Sequence, residues 1–224
     1  MPEIDAEGNF IIGSKHKPAP ELVVQPGVEF NHLNVVDYNP ASAVHLSRFL
    51  REQSGLVYEA HSTDYQLPQA YQDLVRDGFV ILKVGPALTF ALREALEALE
   101  RIEAELVPAP GRSRLSEVME KLMLKDPRHW EDHYPGDEPN KRLLRRYSYS
   151  DRVRYYWTDP QAVAAVQTLL HNLRQTTIPE TMLSAYLPEA YRAVRAGKLT
   201  SDPFAIAKHR VQSSLQTYAA ACGQ

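Results

Sequence analysis

From residue 21 the chain sets short apolar runs against stretches in which apolar residues return every three or four positions, and the alternation repeats three times. The first unit opens on Glu21-Leu22-Val23-Val24-Gln25, a β-prone run that stops at Pro26-Gly27. Its helix starts at Asn39-Pro40, where Asn caps free N–H groups and Pro at the first helical position loses no hydrogen bond. Ala43, Leu46, Phe49 and Leu50 then share a face. The second unit opens on Leu56-Val57-Tyr58-Glu59-Ala60, and its helix starts near Pro68 and packs through Tyr71, Leu74 and Val75. The third opens on Phe79-Val80-Ile81-Leu82-Lys83-Val84 and ends at Gly85-Pro86. Its helix carries Leu88, Leu92, Ala95, Leu99, Ile102 and Leu106 on one face, with Arg93, Glu97 and Arg101 spaced for ion pairing on the other.

Apolar strands alternating with amphipathic helices predict an α/β fold with a parallel sheet. Spacing alone leaves a (β/α) barrel and a doubly wound sheet both open. Each strand ends in polar or conformationally special residues, and ligand sites in either fold lie at those carboxyl ends. From Gly111 strands give way to helices. Ser113 is expected to cap one helix, Asp159-Pro160 starts another, and Asp202-Pro203 starts a last one that stops at Gly223. The expected organisation is a leader over 1–20 with a short strand at 10–12, β/α units over 21–110, and a helical extension over 111–224.

Composition changes this picture little. Hydrophobic residues are 44% and charged residues 24% of the chain, the balance of a globular protein. A net charge of −3 points away from nucleic acid and anionic membranes as partners. The single cysteine, Cys222, cannot staple the fold, and no apolar run approaches the ~20 residues of a membrane span. The acidic first residues lack the pattern of a signal peptide, so a cytoplasmic location is expected.

Three strings are specific enough to carry a family resemblance. They are Glu59-Ala60-His61-Ser62-Thr63-Asp64-Tyr65-Gln66, the stretch Leu82-Lys83-Val84-Gly85-Pro86-Ala87-Leu88-Thr89-Phe90 continuing to Leu96, and Tyr147-Ser148-Tyr149-Ser150-Asp151-Arg152 continuing to Trp157. Together with Val23 to Phe30 they closely resemble the D-tagatose-1,6-bisphosphate aldolase Z-subunit (GatZ/KbaZ-type) family, also labelled tagatose-6-phosphate kinase. The resemblance runs from about residue 21 to the C-terminus. It implies the last three units, strands six to eight, of a TIM-type barrel followed by helices. It further implies a non-catalytic subunit that supports a catalytic class II aldolase partner in galactitol, N-acetylgalactosamine or tagatose catabolism. In that family the partner carries the zinc, so no cofactor is expected on this chain.

Family members are roughly twice as long, and a barrel needs about eight strands. The expectation is therefore a truncated product, or a chain whose sheet another chain completes, with an oligomer as the outcome.

The strand tips hold the candidate chemistry. Ser62, Thr63, Gly85, Ala87, Leu88 and Thr89 are the candidate phosphate-binding set: short hydroxyls, a glycine that admits close backbone approach, and amides at a helix N-terminus. The alternative is that Gly85-Pro86 is only a turn. Glu59, His61 and Asp64 are able metal ligands, with His32 and His45 as further donors, but zinc needs three or four together, and a polar barrel mouth is the preferred reading. Lys83 is a candidate for a Schiff base, for neutralising phosphate, or for pairing with Glu59. As catalytic candidates only Glu59, His61, Asp64 and Lys83 stand out. A direct ketose-bisphosphate aldolase is the alternative function. The ten glycines form neither a Walker loop nor a Gly-x-Gly-x-x-Gly string, which disfavours a kinase. The tract Arg142 to Trp157, dense in arginine and aromatics, reads first as packing of the helical extension on the β/α units and second as a partner seam.

Overall fold

A computed structural model describes residues 21–53 and 55–223. The short strand expected at residues 10–12 lies outside them. Three parallel strands, β1 (Glu21–Val24), β4 (Val57–Ala60) and β5 (Ile81–Leu82), form a sheet in the order β1-β4-β5. Each is followed by a helix: α1 (Pro40–Glu52), α2 (Pro68–Arg76) and α3 (Pro86–Leu106). The third strand is shorter than the run Phe79 to Val84 suggests. Phe79 leaves the sheet and is fully buried in the small core beside it, stacked on Tyr58.

The segment expected as a loop after β1 holds a second, antiparallel pair, β2 (Glu29–Phe30) with β3 (Val35–Val36). Asn31 closes this hairpin by accepting from the Leu33 and Asn34 amides. That side-chain cap is the signal the strand pattern alone does not carry.

The sheet has two unlike faces. Alternation sends Tyr58 and Ala60 to one side, where they are buried with Ala43 of α1 and Tyr71 and Leu74 of α2. Val57 and Glu59 point to the other side and are only half-buried, while Val23, the strand partner of Glu59, is 51% exposed.

Six further helices follow: α4 (Leu115–Lys125), α5 (Glu138–Tyr147), α6 (Pro160–Arg174), α7 (Glu180–Tyr186), α8 (Pro188–Arg195) and α9 (Pro203–Ala221). Asn39, Asp159 and Asp202 cap α1, α6 and α9 as the Asn-Pro and Asp-Pro pairs predict. Ser113 does not cap α4. Its amide and hydroxyl go to the buried Glu103 carboxylate, and Glu100 meets the amide of Ser116 in the first turn. Arg93 keeps the pairing with Glu97 that its spacing predicts, and its tighter partner lies elsewhere. Arg93 is buried, with Nε 2.8 Å from Asp151 Oδ1 and Glu97 more distant at 3.6 Å. No helix of the described residues is long and apolar enough to cross a membrane.

Candidate functional site

At the carboxyl ends of β4 and β5 the chain gathers one charged cluster. His61 Nε2 lies 2.9 Å from Glu59 Oε1, and Lys83 Nζ lies 3.4 Å from both. Strand alternation explains it: Glu59 and His61, two residues apart, share the sheet's open face, and Lys83 leaves the neighbouring strand at the same level. The His61 bond is the first cause that holds the Glu59 carboxyl below its ordinary range, with the nearby Lys83 ammonium adding to it against partial burial. The two contacts of His61 Nε2 exclude each other in neutral imidazole. With its proton on Nε2 the ring donates to Glu59, and without it the ring accepts from Lys83. Lys83 is thus paired with Glu59, one of its three sequence-level roles.

Asp64 does not join this cluster. The chain turns away at Ser62 and Tyr65, both with positive φ, and carries the Asp64 side chain inward. There, 3% exposed, its Oδ1 accepts from the amides of Gly85 at 2.8 Å and Ala87 at 3.0 Å. Burial pushes this carboxyl up, and the amide bonds work against that shift. The α3 N-terminus therefore does hold an anion at close backbone approach, and the anion is the protein's own carboxylate. A Cβ on Gly85 would stand 3.4 Å from Asp64 Oδ2, an ordinary contact, so the carboxylate packs directly against this glycine without excluding a side chain.

The other residues of the candidate phosphate set are also turned to internal partners. Thr63 Oγ1 donates to the Lys83 carbonyl at 2.7 Å, and Thr89 Oγ1 reaches Asp151 Oδ2 at 2.6 Å. Ser62 Oγ accepts from Gln25 Nε2, which also bonds Glu29. Leu88 sits half-buried in the first turn of α3. Of the two further histidines, His45 is exposed on α1 and His32 bonds Ser148 Oγ at 3.0 Å, so neither reaches Glu59. Among the described residues no group of three His, Cys, Asp or Glu is gathered as a metal-ligand set.

Much of the arginine- and tyrosine-rich tract packs inward, while Arg142, Tyr147 and Tyr155 stay exposed. Tyr149 donates its amide to the His32 carbonyl, accepts from the Tyr65 hydroxyl at 2.7 Å, and lies against the rings of Tyr65 and Phe90. Asp151 receives Arg93 and Thr89 of α3, and Arg145 joins Glu120 and Glu138 over the Trp130 ring. Gln25, Tyr65 and Asp151 shape the region through partners far along the chain, Ser62, Tyr149 and Thr89, which their motifs do not reveal.

A model of the D-tagatose-1,6-bisphosphate aldolase subunit GatZ/KbaZ-like family matches residues 16–223. A solved structure from Sinorhizobium meliloti 1021, of a protein named as a probable tagatose 6 phosphate kinase, is similar with a TM-score of 0.87 and 50% sequence identity. The match covers 91% of this chain and 52% of that one, so the chain spans about half the length of this relative. The family match takes in the sheet, the strand-tip cluster and the helical extension alike, and the chain belongs to the GatZ/KbaZ-like family of D-tagatose-1,6-bisphosphate aldolase subunits.

Proposed function

We propose that this chain is a non-catalytic component that supports a class II D-tagatose-1,6-bisphosphate aldolase, a lyase of cytoplasmic carbohydrate catabolism. The observation that carries this reading is the Lys83 ammonium. It stands 3.4 Å from both Glu59 and His61, and its positive charge opposes a divalent cation that those two donors would otherwise share. A class II aldolase holds its carbanion with a metal, and an ammonium beside two able ligands opposes one by charge. The zinc in this reading belongs to the catalytic partner, and the substrate pathway is that of galactitol, N-acetylgalactosamine or tagatose.

The same reading makes the sheet an arc of a TIM-type barrel. Its strands are parallel and sequential, helices cover one face, and the face bearing Val23, Val57 and Glu59 is open. Further β/α units on the two strand edges would close it. The twofold length of the matched relative is consistent with such units. Phosphate contact at this mouth falls to Ser62 and Lys83, whose side chains remain at least partly exposed, rather than to the Gly85 and Ala87 amides. Kinase activity, which the name of the relative suggests, has no glycine-rich nucleotide cradle in this sequence.

The test is to mix the purified chain with a catalytic class II tagatose-bisphosphate aldolase subunit and follow cleavage and thermal inactivation. The expected result is a longer half-life and higher cleavage rate; unchanged values in both overturn the reading. Turnover by the chain alone, abolished by His61→Ala, would instead establish the direct ketose-bisphosphate aldolase.

A further inference from the structure

A hollow of about 380 Å³ opens between the loop after β4, the start of α3 and the second half of α9, and no member of the Glu59–His61–Lys83 cluster lines it. Its volume is in the range that holds small molecules. One wall is aromatic: Tyr65, Phe90, Tyr149 and Tyr218. The Tyr65 hydroxyl is spent on the Tyr149 carbonyl and that of Tyr218 on the Thr63 carbonyl, so these residues offer ring surface rather than polar ends. The facing wall is a run of short hydroxyls on α9, Ser213, Ser214 and Thr217. At its edge Arg210 bonds Glu94 at 2.7 Å and Ser214 at 2.9 Å. Glu189, exposed on α8, adds a second carboxylate to the lining.

We propose that this hollow binds an uncharged polyol of monosaccharide size and rejects its phosphate ester. Aliphatic C–H groups of such a ligand pack on the electron-rich faces of aromatic rings. Its hydroxyls, each both donor and acceptor, need partners of both kinds, and the three side-chain hydroxyls with the Glu94–Arg210 pair supply them. A phosphate meets two exposed carboxylates and a single guanidinium that is already paired, so like charge works against it. The inference stands apart from the aldolase-support reading, because none of Glu59, His61 and Lys83 lines the hollow.

The experiment is ligand-observed saturation-transfer NMR on the full chain with D-glucose, D-fructose and D-sorbitol, each beside its 6-phosphate, at millimolar concentration. At least one unphosphorylated compound is expected to respond, with its 6-phosphate about tenfold weaker or silent. Ser213→Phe, which fills the hollow from α9, removes the response. Glu189→Lys, on an exposed position that leaves folding intact, brings the 6-phosphate up to the level of the free polyol. Silence from every unphosphorylated compound overturns the proposal, as does equal binding of a 6-phosphate by the unaltered chain, or persistence of the response in a folded Ser213→Phe variant. If Ser213→Phe fails to fold, Glu189→Lys decides: no gain of 6-phosphate binding overturns it.

Discussion

The two halves of the chain bury their apolar residues differently. Among the described residues the helical half closes on a core of 23 buried residues running from Ala95 to Ala207, whereas the β/α half has nine around Tyr58, Leu74 and Phe79. The small core also leaves Leu22, Val23 and Val80 substantially exposed beside its sheet. Two helices join the halves. α3 contributes Leu99 and Ile102 to the large core while its first turn faces Asp64, and α9 places Ile206 in the large core and Tyr218 against the small one. The contrast teaches that the strand tips, where the candidate chemistry sits, are held in place from behind by the helical half, and that the sheet itself is the weaker body.

The strongest test of that contrast is the seam. Asp151, fully buried, holds Arg93 and Thr89 of α3, and its positive φ suits Asn better than Ala. Asp151→Asn leaves the buried Arg93 guanidinium with only the more distant Glu97 as counter-charge and is expected to lower unfolding free energy by about 3 kcal/mol in urea titrations. A loss below about 1 kcal/mol would mean the seam carries little of the stability. Of similar size, Leu99→Ala opens a hole in the large core and should cost about 2–5 kcal/mol. Val23→Ala on the open sheet face should stay within about 0.5 kcal/mol. Equal losses at the two positions would erase the distinction between the halves.

The same contrast explains what was legible in the sequence. Strand–helix order, the Asn39, Asp159 and Asp202 caps and the heptad-like face of α3 are local patterns, and each survives in the structure. The pairing of Lys83 with Glu59 was legible too, because neighbouring parallel strands bring their tips together. The Arg93–Glu97 pairing was legible as well, but the tighter partner of Arg93 and the inward turn of Asp64 were hidden for one reason. Local spacing marks a charged residue as solvated or ligand-facing, but their partners, Asp151 and the Gly85 and Ala87 amides, lie 58, 21 and 23 residues away. Ser113 failed as a cap because its hydroxyl donates to Glu103, ten residues earlier, and Arg114 stands at the cap position of α4. The β2–β3 hairpin was hidden because each of its strands is two residues long.

Acid titration separates the two strand-tip carboxylates by sign. Glu59 is held below its ordinary value of 4.5 by His61 and then Lys83, so its contribution is present above that value and is lost as pH falls through the lowered one. The stability difference between the unaltered chain and Glu59→Gln should therefore shrink between pH 7 and pH values below 4.5. Asp64 is raised above 3.8 by burial, so the folded state takes up its proton first. Its contribution is present below 3.8 and is lost as pH rises through the raised value. The advantage of the unaltered chain over Asp64→Asn should accordingly grow on acidification. Parallel slopes for the two variants would show that the open cluster and the buried cap sit in similar surroundings after all.

The smallest effect is expected at Lys83, and its smallness is informative. The side chain is 59% exposed, and its ammonium reaches Glu59 only at 3.4 Å, so water already satisfies most of its charge. Its backbone, in contrast, is fixed: the Lys83 amide donates to the Ala60 carbonyl and its own carbonyl accepts from Thr63. Lys83→Met keeps those backbone bonds and the aliphatic stem while removing the charge between Glu59 and His61. The urea midpoint at neutral pH should not move measurably. A clear fall would show that the cluster helps to hold the sheet together, and the view that the strand tips are positioned from the helical side would have to be given up.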